Sequence, residues 1–378
     1  MISFIDLAAQ QARIKPQVDA AIARVLAHGQ YILGPEVREF ESQLAKFCGA
    51  KYAVTCSDGT DAMTLCLMRM GIGPGDAVFV PSFTFVSTAE VVAMLGATPY
   101  FVDIDPVTYN MDPSSLRAAI LECKKDEKLK PRGITAVDLF GLPADFDALN
   151  AVAEEFGLWL MMDSAQGFGG TYKGRRTGAM GRFATTSFFP AKPLGGYGDG
   201  GAILTNDEND IEILQSLRMH GQGSDRYEHV RIGMTGRLDT IQAAILLEKL
   251  KIFDDEITAR NRVAVRYAAG LKGIVETPVM PDWYISTWAQ YTIAVPDGQR
   301  AALQNHLKAA EIPTAIYYPK PLHLQPAYKH YPRVGRALPH SERRMHEVLA
   351  LPMHPYLDAA TQDKIIGAIQ AFRPAVAA

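Results

Sequence analysis

Lys192 is the one amine in the run Ser187-Phe188-Phe189-Pro190-Ala191-Lys192-Pro193-Leu194-Gly195-Gly196-Tyr197-Gly198-Asp199-Gly200-Gly201. Pro190 and Pro193 stiffen the backbone on either side, and a glycine-rich turn follows, so the amine is expected on a short, shaped loop. A lysine that is fixed in place and partly deprotonated can form an imine with a carbonyl. The alternative is a solvated loop lysine, the ordinary fate of charged side chains in turns. What lies upstream decides between the two.

In an open parallel α/β sheet, ligands bind at the carboxyl ends of the strands. Asp163 ends the apolar run Leu158-Trp159-Leu160-Met161-Met162 and is followed by Ser164-Ala165-Gln166. A carboxylate so placed needs a cation or a donor, because burial without one is heavily penalised. A protonated pyridine nitrogen would serve. Unit charges about 4 Å apart at an effective dielectric of about 20 attract by about 4 kcal/mol, which favours the protonated ring by roughly three pKa units. A helix cap is the alternative reading of Asp163.

Ser57-Asp58-Gly59-Thr60 follows a strand and opens a helix, offering backbone N–H groups, a positive dipole end and a hydroxyl, which is a phosphate cradle. Simple N-capping by Ser57 or Asp58 is its alternative. Ser187 ends a later strand within reach of the same phosphate, and Phe85, just past the strand Ala77–Val80, offers a ring face for stacking. Taken together, these residues suit a phosphorylated aromatic aldehyde, pyridoxal 5′-phosphate.

These residues need a sheet to position them, and the apolar pattern supplies one. Strands expected at 52–55, 77–80, 99–103, 133–139, 158–162, 184–189 and 201–205 alternate with helices from Ser57 to about Met70 and at 86–95, 113–121, 145–156 and 207–219. That alternation implies an α/β fold with a mostly parallel sheet covered on both faces. Helices at 15–29 and 35–48 precede it, and helices at 238–250 and 253–271 follow. Beyond Gly273 come one strand at 289–295, a helix at 299–309, a Pro/Tyr/His-rich segment and closing helices near 341–349 and 358–371. A chain of 378 residues exceeds what one core usually serves, so we expect a large domain of residues 1–250 and a small one of residues 251–378.

A net charge of −3 argues against a nucleic-acid surface built on general electrostatics. No apolar run approaches the roughly 20 residues that span a bilayer, and no secretory signal is visible, so a soluble cytoplasmic protein is expected. Cys48, Cys56, Cys66 and Cys123 show no metal spacing and read as buried free thiols. The histidines form no HExxH pair, and no metal site is expected.

The chain resembles the DegT/DnrJ/EryC1/StrS family of nucleotide-sugar aminotransferases over nearly its whole length. The resemblance rests on Gly34-Pro35-Glu36-Val37-Arg38-Glu39-Phe40-Glu41, Ser57-Asp58-Gly59-Thr60-Asp61-Ala62, Asp163-Ser164-Ala165-Gln166 and the lysine loop. It continues through Arg237-Leu238-Asp239-Thr240-Ile241-Gln242-Ala243-Ala244, Tyr318-Pro319 with Pro321-Leu322-His323, and Leu351-Pro352-Met353-His354-Pro355. It implies the aspartate-aminotransferase fold (PLP fold type I), with a large α/β domain and a smaller C-terminal α+β domain, working as a homodimer with shared active sites. Lys192 then resembles the Schiff-base lysine, Asp163 the partner of the pyridine nitrogen and Gln166 the residue near the ring hydroxyl. By the same resemblance Gly59, Thr60 and Ser187 hold the phosphate and Phe85 stacks on the ring. Thr235, in Gly233-Met234-Thr235-Gly236-Arg237, stands where family members carry an asparagine that reaches the phosphate from the partner subunit.

The implied reaction moves an amine from L-glutamate to a keto-sugar, with Lys192 as the acid/base. Sugar dehydratases of the family resemble this chain with histidine in place of the lysine, and a regulatory relative would be expected to lose Lys192 or Asp163. Phe4-Ile5-Asp6-Leu7, Gln10-Gln11-Ala12-Arg13-Ile14 and the run His28 to Val37 resemble the branch that aminates UDP-linked 2-acetamido-3-keto-glucuronic acid. In that branch the arginine matching Arg237, from the partner subunit, meets the sugar carboxylate, and the pair matching Tyr317-Tyr318 lies near the sugar. Tyr317 stands where the branch has histidine. The alternatives are a structural ion pair for Arg237, and a neutral 4-keto or 3-keto-6-deoxy nucleotide sugar as substrate.

Overall fold

In the computed structural model residues 2–225 and 227–373 are described. The chain opens with α1 (Leu7–His28), whose N-terminus is capped by the Asp6 carboxylate on the Ala9 N–H. This helix starts earlier than the expected 15–29. Its turn is broken at Ile14, two residues before Pro16, whose ring crowds the preceding turn and lacks an N–H. Then follow α2 (Pro35–Cys48), β1 (Tyr52–Cys56), α3 (Gly59–Arg69), β2 (Asp76–Pro81), α4 (Ser87–Met94), β3 (Thr98–Val102), α5 (Pro113–Cys123), β4 (Lys130–Val137), α6 (Phe146–Phe156) and β5 (Trp159–Asp163). A small hairpin of β6 (Thr171–Tyr172) and β7 (Arg175–Arg176) precedes β8 (Phe183–Ser187) and β9 (Gly201–Thr205).

The main sheet has seven strands in the order β1-β9-β8-β5-β4-β2-β3. Strand β9 runs antiparallel to both its neighbours, and the remaining pairs are parallel. All strands but β9 therefore end at the same edge, where the segments that follow β1, β2, β4, β5 and β8 meet. Alternate residues feed opposite faces, as the two-residue period of a strand requires. Val78, Val80 and Met161 join one core with Leu65, Val91 and Leu214, from α3, α4 and α7 (Glu208–Leu217). Phe79, Leu160 and Met162 join the other with Leu116 and Leu149, from α5 and α6.

After α8 (Thr240–Leu250) comes α9 (Phe253–Leu271), which serves two cores. Phe253 and Ile257 pack with Phe40, Phe168 and Phe188, whereas Val263, Tyr267 and Leu271 pack with residues of the C-terminal part. The division expected near residue 251 falls at the start of this shared helix. The C-terminal part contains β10 (Tyr284–Ile285), β11 (Tyr291–Ala294), α10 (Arg300–Ala309), α11 (Pro339–Glu347), β12 (Val348–Leu351) and α12 (Ala359–Ala371). Strand β10 joins the β6–β7 hairpin, so the two parts share a three-stranded sheet. Strand β12 occupies residues that include the expected end of the 341–349 helix. Val348-Leu349-Ala350-Leu351 is apolar throughout, and antiparallel pairing with β11 decides its conformation. Among the described residues no helix is long and apolar enough to cross a membrane. The four cysteines are buried free thiols.

Candidate active site

The first turn of α3 is held by the Asp58 side chain, whose Oδ1 accepts the N–H groups of Thr60 (2.7 Å) and Asp61 (2.9 Å). The capping alternative is thus present. An anion at this helix start would draw on the Gly59 N–H, the Thr60 hydroxyl and the Ser187 hydroxyl rather than on the two amides that Asp58 has taken. Gly59 and Ser187 do meet: a Cβ on residue 59 would lie 2.7 Å from that of Ser187. A Cβ on Gly201 would likewise lie 2.2 Å from the Asp58 carbonyl. Glycine at both positions lets α3, β8 and β9 converge, which brings the Ser187 hydroxyl to the positive end of the helix.

Asp163, 6% exposed at the end of β5, accepts the Ala165 N–H at 3.1 Å and the Thr88 hydroxyl at 3.4 Å. Burial raises its pKa, and the Ala165 N–H bond, the Lys192 charge and the Thr88 bond work against that rise. Lys192 shows the mirror image: burial lowers its pKa and the attraction of Asp163 opposes the fall. The amine and the carboxylate therefore lie within electrostatic reach, and a larger share of the amine is free base than in an ordinary lysine. Thr88 sits one turn after Phe85, whose ring is 52% exposed and open to a stacking partner. Gln166 is fixed by three bonds. Its Oε1 accepts the Phe140 N–H (2.6 Å), its Nε2 donates to the Tyr318 hydroxyl (3.0 Å) and its carbonyl accepts the Thr287 hydroxyl (2.6 Å). Tyr317 meets Tyr318 edge to face, with ring centroids 5.9 Å apart.

Asp138, just past β4, belongs to the same group, although the apolar pattern places it inside the expected strand 133–139. It is fully buried, accepts the Ser164 hydroxyl (2.6 Å) and the Ala144 N–H (2.9 Å), and donates its own N–H to the Asp163 carbonyl (3.0 Å). It thereby holds the turn that follows Asp163. The signal that found Asp163, a carboxylate closing an apolar strand, applies equally to Ile134-Thr135-Ala136-Val137-Asp138. Burial pushes the Asp138 pKa up to about 7, against the bonds from Ser164 and Ala144. In the unfolded chain the group ionises near its ordinary value of about 4, so between those pH values the native state binds the extra proton and stability falls as pH rises. Asp138→Asn keeps an acceptor and a donor but cannot ionise. Its melting temperature relative to the wild type is expected to climb between pH 4 and pH 7, read by thermal denaturation across that range. A constant difference would mean that Asp138 is charged throughout.

Thr235 and Arg237 are on the segment between α7 and α8. That segment is bound to the end of α7 by Met234 N–H to the Leu217 carbonyl (2.8 Å) and Gly236 N–H to the Arg218 carbonyl (3.0 Å). The Thr235 hydroxyl is 2.7 Å from His220 Nε2, and Arg237 Nη1 is 3.8 Å from Met219 Sδ. Among the described residues, Arg237 makes no ion pair, and no hydrogen bond joins Thr235 or Arg237 to Lys192, Asp163 or Gln166.

An amine of lowered pKa beside a buried carboxylate can add to a carbonyl while the carboxylate holds a cationic ring nitrogen. Close by are a helix start with hydroxyls for a phosphate and an exposed aromatic face, so the residues present fit pyridoxal phosphate. The relatives agree. The model of the DegT/DnrJ/EryC1/StrS aminotransferase family matches residues 12–370. A UDP-2-acetamido-2-deoxy-3-oxo-D-glucuronate aminotransferase of Pseudomonas aeruginosa is 50% identical over 370 residues, which is 98% of this chain and 99% of that protein. A crystal structure of a DegT/DnrJ/EryC1/StrS aminotransferase from Brucella abortus superimposes with a TM-score of 0.96 at 52% identity, over 98% of this chain and 99% of that one. That of DesV from S. venezuelae, in complex with a ketimine intermediate, gives 0.92 at 38% identity, over 98% and 97%. The chain belongs to the DegT/DnrJ/EryC1/StrS aminotransferase family, a pyridoxal phosphate-dependent sugar aminotransferase of PLP fold type I.

Proposed function

We propose that the protein transfers the amino group of L-glutamate to C3 of UDP-2-acetamido-3-keto-glucuronic acid, as a cytoplasmic homodimer whose subunits complete each other's sites. The observation that carries this reading is Arg237, a partly exposed guanidinium with no acidic partner among the described residues. A planar fork of donors suits a carboxylate, which returns two charge-assisted hydrogen bonds as a neutral hexose cannot. The Pseudomonas relative is named for a uronic acid of this kind. The exposed apolar side chains of Val230 and Ile232, on the segment that also carries Thr235 and Arg237, support a second subunit covering that segment.

In this reading Lys192 would carry the cofactor, Asp163 would hold its ring nitrogen and Gln166 would serve the ring hydroxyl. Gly59, Thr60 and Ser187 would take the phosphate, Thr235 would reach it from the partner subunit, and Phe85 would stack on the ring. Pyridoxal phosphate, when bound, supplies the carbonyl that accepts the amine and a ring that disperses the negative charge left at carbon. Lys192 Nζ, released when the donor enters, takes the proton from the donor α-carbon and returns one to the sugar carbon. Its lowered pKa makes it a better base near neutrality than a solvated lysine. Asp163, fixed by Ala165 and Thr88, would present its carboxylate where the ring is to be cationic. Tyr318, tied to Gln166, and Tyr317 line the approach of the sugar.

The test is amine transfer from ¹⁵N-glutamate to a panel of nucleotide keto-sugars, by the wild type and by Arg237→Ala. Wild-type label is expected at C3 of the uronic acid. Arg237→Ala should lose about 1.5–3 kcal/mol with that substrate, roughly 10- to 150-fold, and change little with the 6-hydroxyl sugar. Equal losses on both would remove the carboxylate role and favour the neutral 4-keto- or 3-keto-6-deoxy sugars.

A further inference from the structure

The loop that carries Lys192 is closed on itself and seated on α8. Within the loop, the Lys192 N–H donates to the Phe189 carbonyl (2.8 Å) and the Gly196 N–H to the Phe188 carbonyl (2.7 Å). A Cβ on Gly195 would lie 2.3 Å from the Pro190 carbonyl, so the turn closes only with glycine there. Two side chains of α8 grip this turn from below. Gln242 Oε1 accepts the Tyr197 N–H at 2.8 Å, and a Cβ on either Gly196 or Gly198 would meet the Gln242 amide at 2.9 Å. Lys249 Nζ donates to the Gly195 carbonyl at 2.6 Å and stands 4.3 Å from the centroid of the Tyr197 ring.

Lys249 is 1% exposed, which is unusual for a lysine. Burying an ammonium costs several kcal/mol, and one carbonyl and one ring face offset part of that. No step of the proposed reaction uses this cation. We propose that Lys249 is a positioning residue for Lys192: its ammonium, anchored on the Gly195 carbonyl and the Tyr197 ring, holds the lysine loop down so that the partly buried Lys192 stays shielded from water and within electrostatic reach of Asp163.

The consequence reaches Lys192 through burial. Its pKa is lowered chiefly by burial, with Asp163 of β5 as the facing charge. A loop that lifts would let the amine hydrate and regain its ordinary proton affinity, leaving less free base at neutral pH. Lys249 itself is pushed down to about 8 by burial, with Glu256 of α9 opposing the fall. Glu256 is occupied by Gln10 and the Tyr356 hydroxyl, and Asp19 of α1 acts on Tyr197. Glu248 and Lys251, paired with each other, lie on the helix segment of Lys249 itself.

This inference rests on Lys192 as the reactive amine. Labelling the apo-protein reads only how that amine is seated, so it stays interpretable if the cofactor assignment fails. The experiment follows the rate of amine labelling of Lys192, quantified by peptide mass spectrometry, against pH in apo wild type, Lys249→Met, Lys249→Arg and Gln242→Leu. Lys249→Met should move the midpoint upward by about one pH unit, a tenfold smaller free-base fraction near neutrality, and Lys249→Arg, which keeps a charged donor, should restore most of it. Gln242→Leu releases the same turn at Tyr197 and should shift the midpoint the same way; it decides the matter if Lys249→Met does not fold. A lower melting temperature with an unchanged midpoint in these variants would make Lys249 a stabilising residue only and overturn the proposal.

Discussion

Lys192→Ala is expected to fold, to bind pyridoxal phosphate without covalent attachment, and to lose about 10⁴-fold in turnover, the upper range for removing a positioned acid/base. Folding should survive because the bonds that close the loop are made by its backbone: the residue 192 N–H to the Phe189 carbonyl and the Gly196 N–H to the Phe188 carbonyl. Removing the amine also takes away the charge that opposes the raised pKa of the buried Asp163 carboxylate, so some fall in melting temperature is expected, with the fold retained. Steady-state turnover and thermal denaturation of the same preparation check both halves. Activity within tenfold of the wild type would mean that the proton is moved by another group.

Asp163→Asn is expected to keep the cofactor and lose roughly a thousandfold in turnover. The amide can still accept the Ala165 N–H through Oδ1, so the turn that follows β5 keeps its shape. What goes is the negative charge. At about 4 kcal/mol for a unit pair near 4 Å in an effective dielectric of about 20, its loss removes about three pKa units of support for a protonated ring nitrogen. Lys192 reports the same change independently of turnover. Asp163 opposes the fall in the Lys192 pKa, so in the apo variant that pKa should drop further, and the pH midpoint for labelling the amine should move down. Turnover near that of the wild type, or a labelling midpoint that stays put, would reduce Asp163 to a cap.

Much of the fold was legible because the strands of a two-face-buried sheet are continuous apolar runs, and those runs alternate with helices in this chain. Asp163, Lys192 and Ser187 were found because each ends or follows such a run. Asp138 is hidden for a local reason, since the apolar pattern carries its strand to residue 139, two residues past the end of β4. Lys249 could not have been found this way. Its bond to Gly195 joins residues 54 apart, and on α8 it reads as one more charge on a helix. Strand β12 hid in a helical pattern until its partner β11 was in place, because a short apolar run fits either period. The α3 start shows the opposite difficulty. The sequence suggested both a cap and a cradle, and the structure has the Asp58 cap in place while Gly59, Thr60 and Ser187 still converge there.

All of these expectations depend on which amine carries the cofactor. Borohydride reduction of the pyridoxal phosphate-loaded protein, followed by peptide mass mapping, tests that directly. A reduced phosphopyridoxyl group on Lys192, at close to one per chain, is the expected result. The same group on any other lysine, or none after full reconstitution, would contradict it.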